Sequence, residues 1–140
     1  MAAVRGDEYH PGVPVEWELR GFVLRLIFTG LVERHEIEEA LKAALADPRS
    51  ARGIGLLWDA RDSQTPLSTE DLHWRMDLVA ALAARGVVRR GAVLVDERWR
   101  ATLEYFRAEA ARLRPGFRLE MFTDESEAVA WLSVGEAETK

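Results

Sequence analysis

Apolar and polar residues alternate at 15–20, where Val15, Trp17 and Leu19 are separated by Glu16, Glu18 and Arg20. That two-residue period is the signature of a strand buried on one face. Arg20-Gly21 offers a tight turn. Residues 22–28 then form a nearly continuous apolar run broken by Arg25, which predicts a second strand covered on both faces. From 31 to 47 the period becomes helical, with Ile37, Ala40, Leu41, Ala44 and Leu45 on one stripe and Asp47-Pro48 as the stop. A third strand is expected at 54–58. Ser68 and Asp71 form a capping box, with Leu67 and Leu72 placed as a hydrophobic staple. The helix they open buries Leu72, Met76, Val79, Ala80 and Ala83, and Gly86 ends it. Residues 92–95 predict a fourth strand. Asp96 caps a third helix with the stripe Trp99, Leu103, Phe106, Ala110 and Leu113, broken by Pro115-Gly116. Phe117, Leu119 and Met121 alternate as a fifth strand, and Asp124 with Glu127 opens a last helix through Ala128, Val129, Trp131 and Leu132.

The order is ββαβαβαβα. Strands alternating with helices imply an α/β fold: a single mixed, mostly parallel five-stranded sheet with helices, whose first hairpin adds an antiparallel edge. Its length of 140 residues fits one domain. The domain is expected at 15–133, between a flexible lead-in at 1–14 and an acidic tail at 134–140. With 48% apolar and 31% charged residues the chain has the composition of a soluble globular protein. It contains no cysteine, which excludes disulfides, thiol nucleophiles and thiolate metal sites. A net charge of -5 disfavours nucleic acid as a partner. Residues 1–9 lack the apolar core of a signal peptide and no stretch is long enough to span a bilayer, so a cytoplasmic location, at most peripheral to the membrane, is expected.

These elements, with their particular residues, resemble the SpoIIAA-like branch of the STAS fold, the fold of bacterial anti-anti-sigma factors and of the cytoplasmic tails of anion transporters. The matching pieces are the early hairpin into 21–28, the strand end Leu56-Leu57-Trp58-Asp59-Ala60-Arg61-Asp62, and the closing Glu127-Ala128-Val129-Ala130-Trp131-Leu132. The likeness covers 15–132. It implies a STAS-like regulatory or protein-interaction module of a bacterium, and it permits membrane association or apolar ligand binding. Anti-anti-sigma factors carry a phosphorylatable Ser in an Asp-Ser-Ser-Gly-Leu type motif opening the second helix. Here that region reads Asp59-Ala60-Arg61-Asp62-Ser63-Gln64-Thr65-Pro66-Leu67-Ser68, so the motif does not carry over.

The segment 59–69 reads as a long loop at the carboxyl end of a strand, where ligands collect in open α/β sheets. It makes Asp59, Arg61, Asp62, Ser63 and Thr65 candidate recognition or regulatory residues, whereas Ser68 is accounted for as a cap. Asp59, Asp62 and Asp96 could converge on a hard cation, but a phosphate-accepting site of that kind wants a lysine on the last strand, and the two lysines, Lys42 and Lys140, lie elsewhere. No metal or other cofactor is expected. His73 and Asp77 are spaced as a helical pair. No nucleophile, base and orienter assemble, so no enzyme is expected. The segment 85–118 carries nine arginines and four acids, read as a solvated helix face. The second helix has, beside its main stripe, a second apolar strip of Trp74, Leu78, Ala81 and Leu82, and an amphipathic helix needs only one. Trp74, Met76, Leu78 and Leu82 are therefore the candidate binding surface, for a protein partner, a second copy of the chain, or an apolar molecule held between the second and third helices.

Overall fold

The computed structural model describes residues 4–5, 14–47, 53–64, 68–113 and 119–138. The five expected strands are all present: β2 (Val15–Arg20), β3 (Val23–Gly30), β4 (Ile54–Ser63), β5 (Val88–Leu94) and β6 (Leu119–Phe122). A two-residue strand, β1 (Val4–Arg5), is added by the segment expected to be a flexible lead-in; it pairs antiparallel with Leu19 and Glu18 of β2. The helices are α1 (Arg34–Ala46), α2 (Thr69–Ala84), α3 (Arg100–Leu113) and α4 (Glu125–Glu138), which runs into the expected acidic tail.

The sheet has the order β1-β2-β3-β4-β5-β6, antiparallel across β1, β2 and β3 and parallel from β3 onward. Each parallel crossover therefore steps one strand further in the same direction. Such crossovers are right-handed, so α1, α2 and α3 share one face, and α4 covers the other. The core divides accordingly. On the three-helix face Leu24, Leu26, Phe28, Leu56 and Trp58 meet Ile37 and Leu41 of α1 and Val79 and Leu82 of α2. On the opposite face Leu57, Ala92 and Leu94 meet Ala128 and Leu132 of α4. The two sets alternate along β4, as the pleat requires.

Local signals explain the joints. Gly21 at φ 60° lets the hairpin turn, and Gly86 at φ 75° ends α2 in the left-handed conformation a side chain disfavours. Ser68 caps α2 as expected, its Oγ accepting from the Asp71 N–H at 3.1 Å; Leu67 of the expected staple lies outside the described residues. Ser68→Ala should cost about 1 kcal/mol of stability, read from the urea midpoint; an unchanged midpoint would mean the cap is idle. Asp96 caps a single 3-10 turn, Glu97–Trp99, that leads into α3.

Three expectations change. β3 is not covered on both faces: Leu24, Leu26 and Phe28 are buried while Val23, Arg25 and Ile27 are only half-buried, because α4 shields part of that side alone. The loop expected from 59 begins as strand, since β4 continues through Ser63, with Thr29 and Gly30 of β3 opposite Asp62 and Ser63. Most of the second apolar strip of α2 is turned to its own fold, Ala81 being its exposed member. Met76 and Leu82 are 2% and 7% exposed, Trp74 and Leu78 pack against the core cluster, and Arg34 of α1 lies 5.4 Å from the Trp74 ring. The physical reason is position: α2 lies against β5 with α3 alongside, so it meets neighbours on more than one side. The stripe of α3 beyond Trp99 rests on side chains outside the described set.

Candidate functional site

On the α4 face the period of two brings Glu16, Glu18 and Arg20 of β2, Arg25 of β3, and Asp59 and Arg61 of β4 to one side of the sheet. Register completes the arrangement: Glu18 stands opposite Arg25, and Ile27, two residues beyond Arg25, stands opposite Asp59. The result is an ion network centred on Asp59, which is 4% exposed. Arg61 grips it with both prongs, Nε to Oδ1 at 2.9 Å and Nη2 to Oδ2 at 2.8 Å. Arg25 donates from Nε and Nη2 to Oδ2 at 3.1 and 2.5 Å. Both arginines also reach Glu125, the first residue of α4, at 2.9 Å from Arg61 and 3.3 Å from Arg25. Arg25 lies 3.5 Å from Glu18 as well. Three carboxylates and two guanidiniums thus tie four elements together, and forked pairs of this kind fix orientation as well as charge.

Burial alone would raise the Asp59 carboxyl, because it disfavours the charged form. The hydrogen bonds from Arg61 and Arg25, together with their positive charge, outweigh it and hold Asp59 below the ordinary aspartate value. The same contact to Asp59 raises Arg61 against its own desolvation. Asp59 is therefore a fixed anion that orients Arg61, and no free base.

Two hollows flank the network. One, of about 550 Å³, opens at the carboxyl ends of β4, β5 and β6 and is lined by Arg61, Asp62, Val95, Asp96, Glu97 and Thr123. The other, of about 290 Å³, runs between the β2–β3 hairpin and α4, with Phe22, Val23, Leu57 and Val129 as apolar walls above Glu18, Arg25 and Glu125. α4 is clamped beside it from the other direction. Arg90, 3% exposed, donates to the Trp131 carbonyl at 3.0 Å and lies 4.4 Å from its ring, and Arg89 donates to the Leu132 carbonyl and to Gly53 O.

Of the residues singled out in 59–69, Asp59 and Arg61 are brought together in the network, Asp62 lines the larger hollow, Ser63 ends β4, and Thr65 lies outside the described residues. Asp59, Asp62 and Asp96 do not form a cation site: Asp59 is spent on two arginines, and among the described residues no group of three or more His, Asp or Glu side chains is placed to hold a metal. His73 faces Glu109 of α3 at 3.5 Å. Sequence reasoning missed Arg25, Glu18 and Glu125. The signal was available, since charges of both signs recur on one face of three strands.

No helix among the described residues is long and apolar enough to cross a membrane. No curated protein matches the chain. A solved structure of an uncharacterised protein of the DUF3478 family with a SpoIIAA-like fold, from Shewanella loihica PV-4, aligns over 94% of each chain with 20% identity and a TM-score of 0.49. The family model described as SpoIIAA-like matches residues 23–133, which span β3 to α4 and carry most of the network. The chain belongs to the SpoIIAA-like family.

Proposed function

We propose that the protein is a non-catalytic interaction module that docks a protein partner at the carboxyl edge of its sheet. The observation that carries this reading is the larger hollow beside the Asp59 network. Its rim exposes Asp62, Asp96 and Glu97; Glu97 is paired with Arg100, and Arg61 is engaged by Asp59 and Glu125. The Asp62 and Asp96 carboxylates on this pre-ordered base suit a basic surface of a partner protein. The apolar strip of α2 supports docking less well, because Met76 and Leu82 are in the core.

Affinity capture from a bacterial lysate, with bound proteins identified by mass spectrometry, tests the proposal. Wild type should retain a partner that Asp62→Arg loses, the substitution lying on an exposed side chain. Equal capture by both proteins would overturn the choice of surface. One observation favours a second reading, an apolar small molecule. The smaller hollow has Phe22, 46% exposed, at its mouth. That reading expects a bound mass, lost on denaturation, in native mass spectra of the purified protein.

A further inference from the structure

β6 is an edge strand, and an edge carries backbone N–H and C=O groups that can pair with another chain. Its register assigns which groups those are. Phe122 stands opposite Leu94, and its carbonyl accepts from the Val95 N–H at 3.0 Å, so Phe122 turns its backbone toward β5. Successive residues of a strand present their backbone groups to opposite sides. The Met121 N–H therefore points away from β5, to the side of β6 on which no strand pairs among the described residues.

That N–H is occupied by the chain itself. It donates to Glu120 Oε1 at 3.1 Å. Glu120 shares the α4 face with Phe122, yet its carboxylate bends round the edge and meets Arg107 of α3 on the other side. Arg107 Nε lies 2.7 Å from Oε1 and Nη2 lies 2.9 Å from Oε2. One carboxylate thus holds a guanidinium across the edge and fills the place where the carbonyl of an added strand would sit. At the far edge, β1 is protected differently, by being only two residues long.

We infer that the Glu120–Arg107 clasp closes the β6 edge against strand addition, and that releasing it lets a second copy of the chain pair through β6. The occupant is a second copy because the pairing of two identical edges about a twofold axis is self-complementary, and each copy, once the clasp is released, brings the same outward donor at Met121.

Sedimentation of folded protein over a range of concentrations tests this. Glu120→Ala should double the sedimenting mass relative to wild type as concentration rises, Arg107→Ala should raise it in the same direction but by less, and backbone amide exchange at 119–122 should slow in the associated species. Glu104→Ala should behave as wild type, since Glu104 meets Arg107 at 3.7 Å without touching the edge. Glu120→Gln keeps an oxygen for the Met121 N–H and should associate less than Glu120→Ala. Variants that stay at the wild-type mass, or that associate with exchange at 119–122 unchanged, would overturn the inference. Arg107 is half-exposed, so its variant tests the clasp even if Glu120→Ala folds poorly.

Discussion

Asp59→Ala should lower the unfolding free energy by about 3 kcal/mol, a shift of about 2 M in the urea midpoint if the slope is about 1.5 kcal/mol/M. Removing one member of a buried ion pair is costly because the survivor keeps its desolvation and loses its partner. The figure is set at the low end of the usual range because the Arg61 and Arg25 side chains are 36% and 22% exposed, so water takes over part of the solvation. The double substitution Asp59→Leu/Arg25→Met should lose less than the sum of its parts, since replacing a pair by apolar groups of similar volume can be nearly neutral. A loss below 1 kcal/mol for Asp59→Ala would mean that the network orders the surface without holding the fold. The pH dependence has a definite sign. Asp59 sits below its ordinary value of 3.8 when folded, so its stabilisation is complete above that value and disappears as pH falls through the lower, folded value. Acid unfolding below about pH 4 should accordingly be shallower in Asp59→Ala than in wild type, measured as urea midpoints across pH.

Trp58→Ala should cost more, about 4 kcal/mol, or about 14 °C in the thermal midpoint. Trp58 is 2% exposed on a central strand, its ring 5.7 Å from that of Phe28. The Arg75 guanidinium lies 5.4 Å from the Phe28 ring and 5.5 Å from the Trp58 ring. Burial lowers the Arg75 value, with Asp71 opposing and Arg34 assisting the shift. The cation is thus a costly neighbour that the two rings help to accommodate. Truncation at position 58 removes the largest fully buried side chain and one of those two rings together. Against a total stability of about 5–15 kcal/mol, the variant should be partly unfolded at moderate temperature. Trp58→Phe, keeping a ring, should recover most of the loss. A difference between the two variants below 1 kcal/mol would show that ring contact contributes little.

The elements themselves were readable from periodicity because each answers to a local rule: the alternation at Val15, Trp17 and Leu19, the Ser68 cap, the stop at Gly86. What escaped depended on partners distant in sequence. Asp59-Ala60-Arg61-Asp62-Ser63 has the composition of a loop, yet it continues as strand because β3 offers Thr29 and Gly30 as partners and Arg25 neutralises the buried carboxylate. β1 is too short to leave a period. The strip of α2 looked surplus only because a helix template assumes one packed face. Of the candidate site, Asp59, Arg61 and Asp62 were legible from their place at a strand end, whereas Arg25 registered merely as a break in an apolar run and Glu125 as a helix opener.

The strand order has a consequence for biosynthesis. Three helices reach one face in step with the strands they connect, so that face is covered as the chain lengthens. The other face receives α4 only after β6 has been made. A ribosome-bound chain that has already assembled β3, β4 and β5 therefore displays Leu57, Ala92 and Leu94 until α4 has left the exit tunnel. During that interval the nascent domain exposes an aggregation-prone apolar face, and a product truncated before Glu125 should keep it exposed.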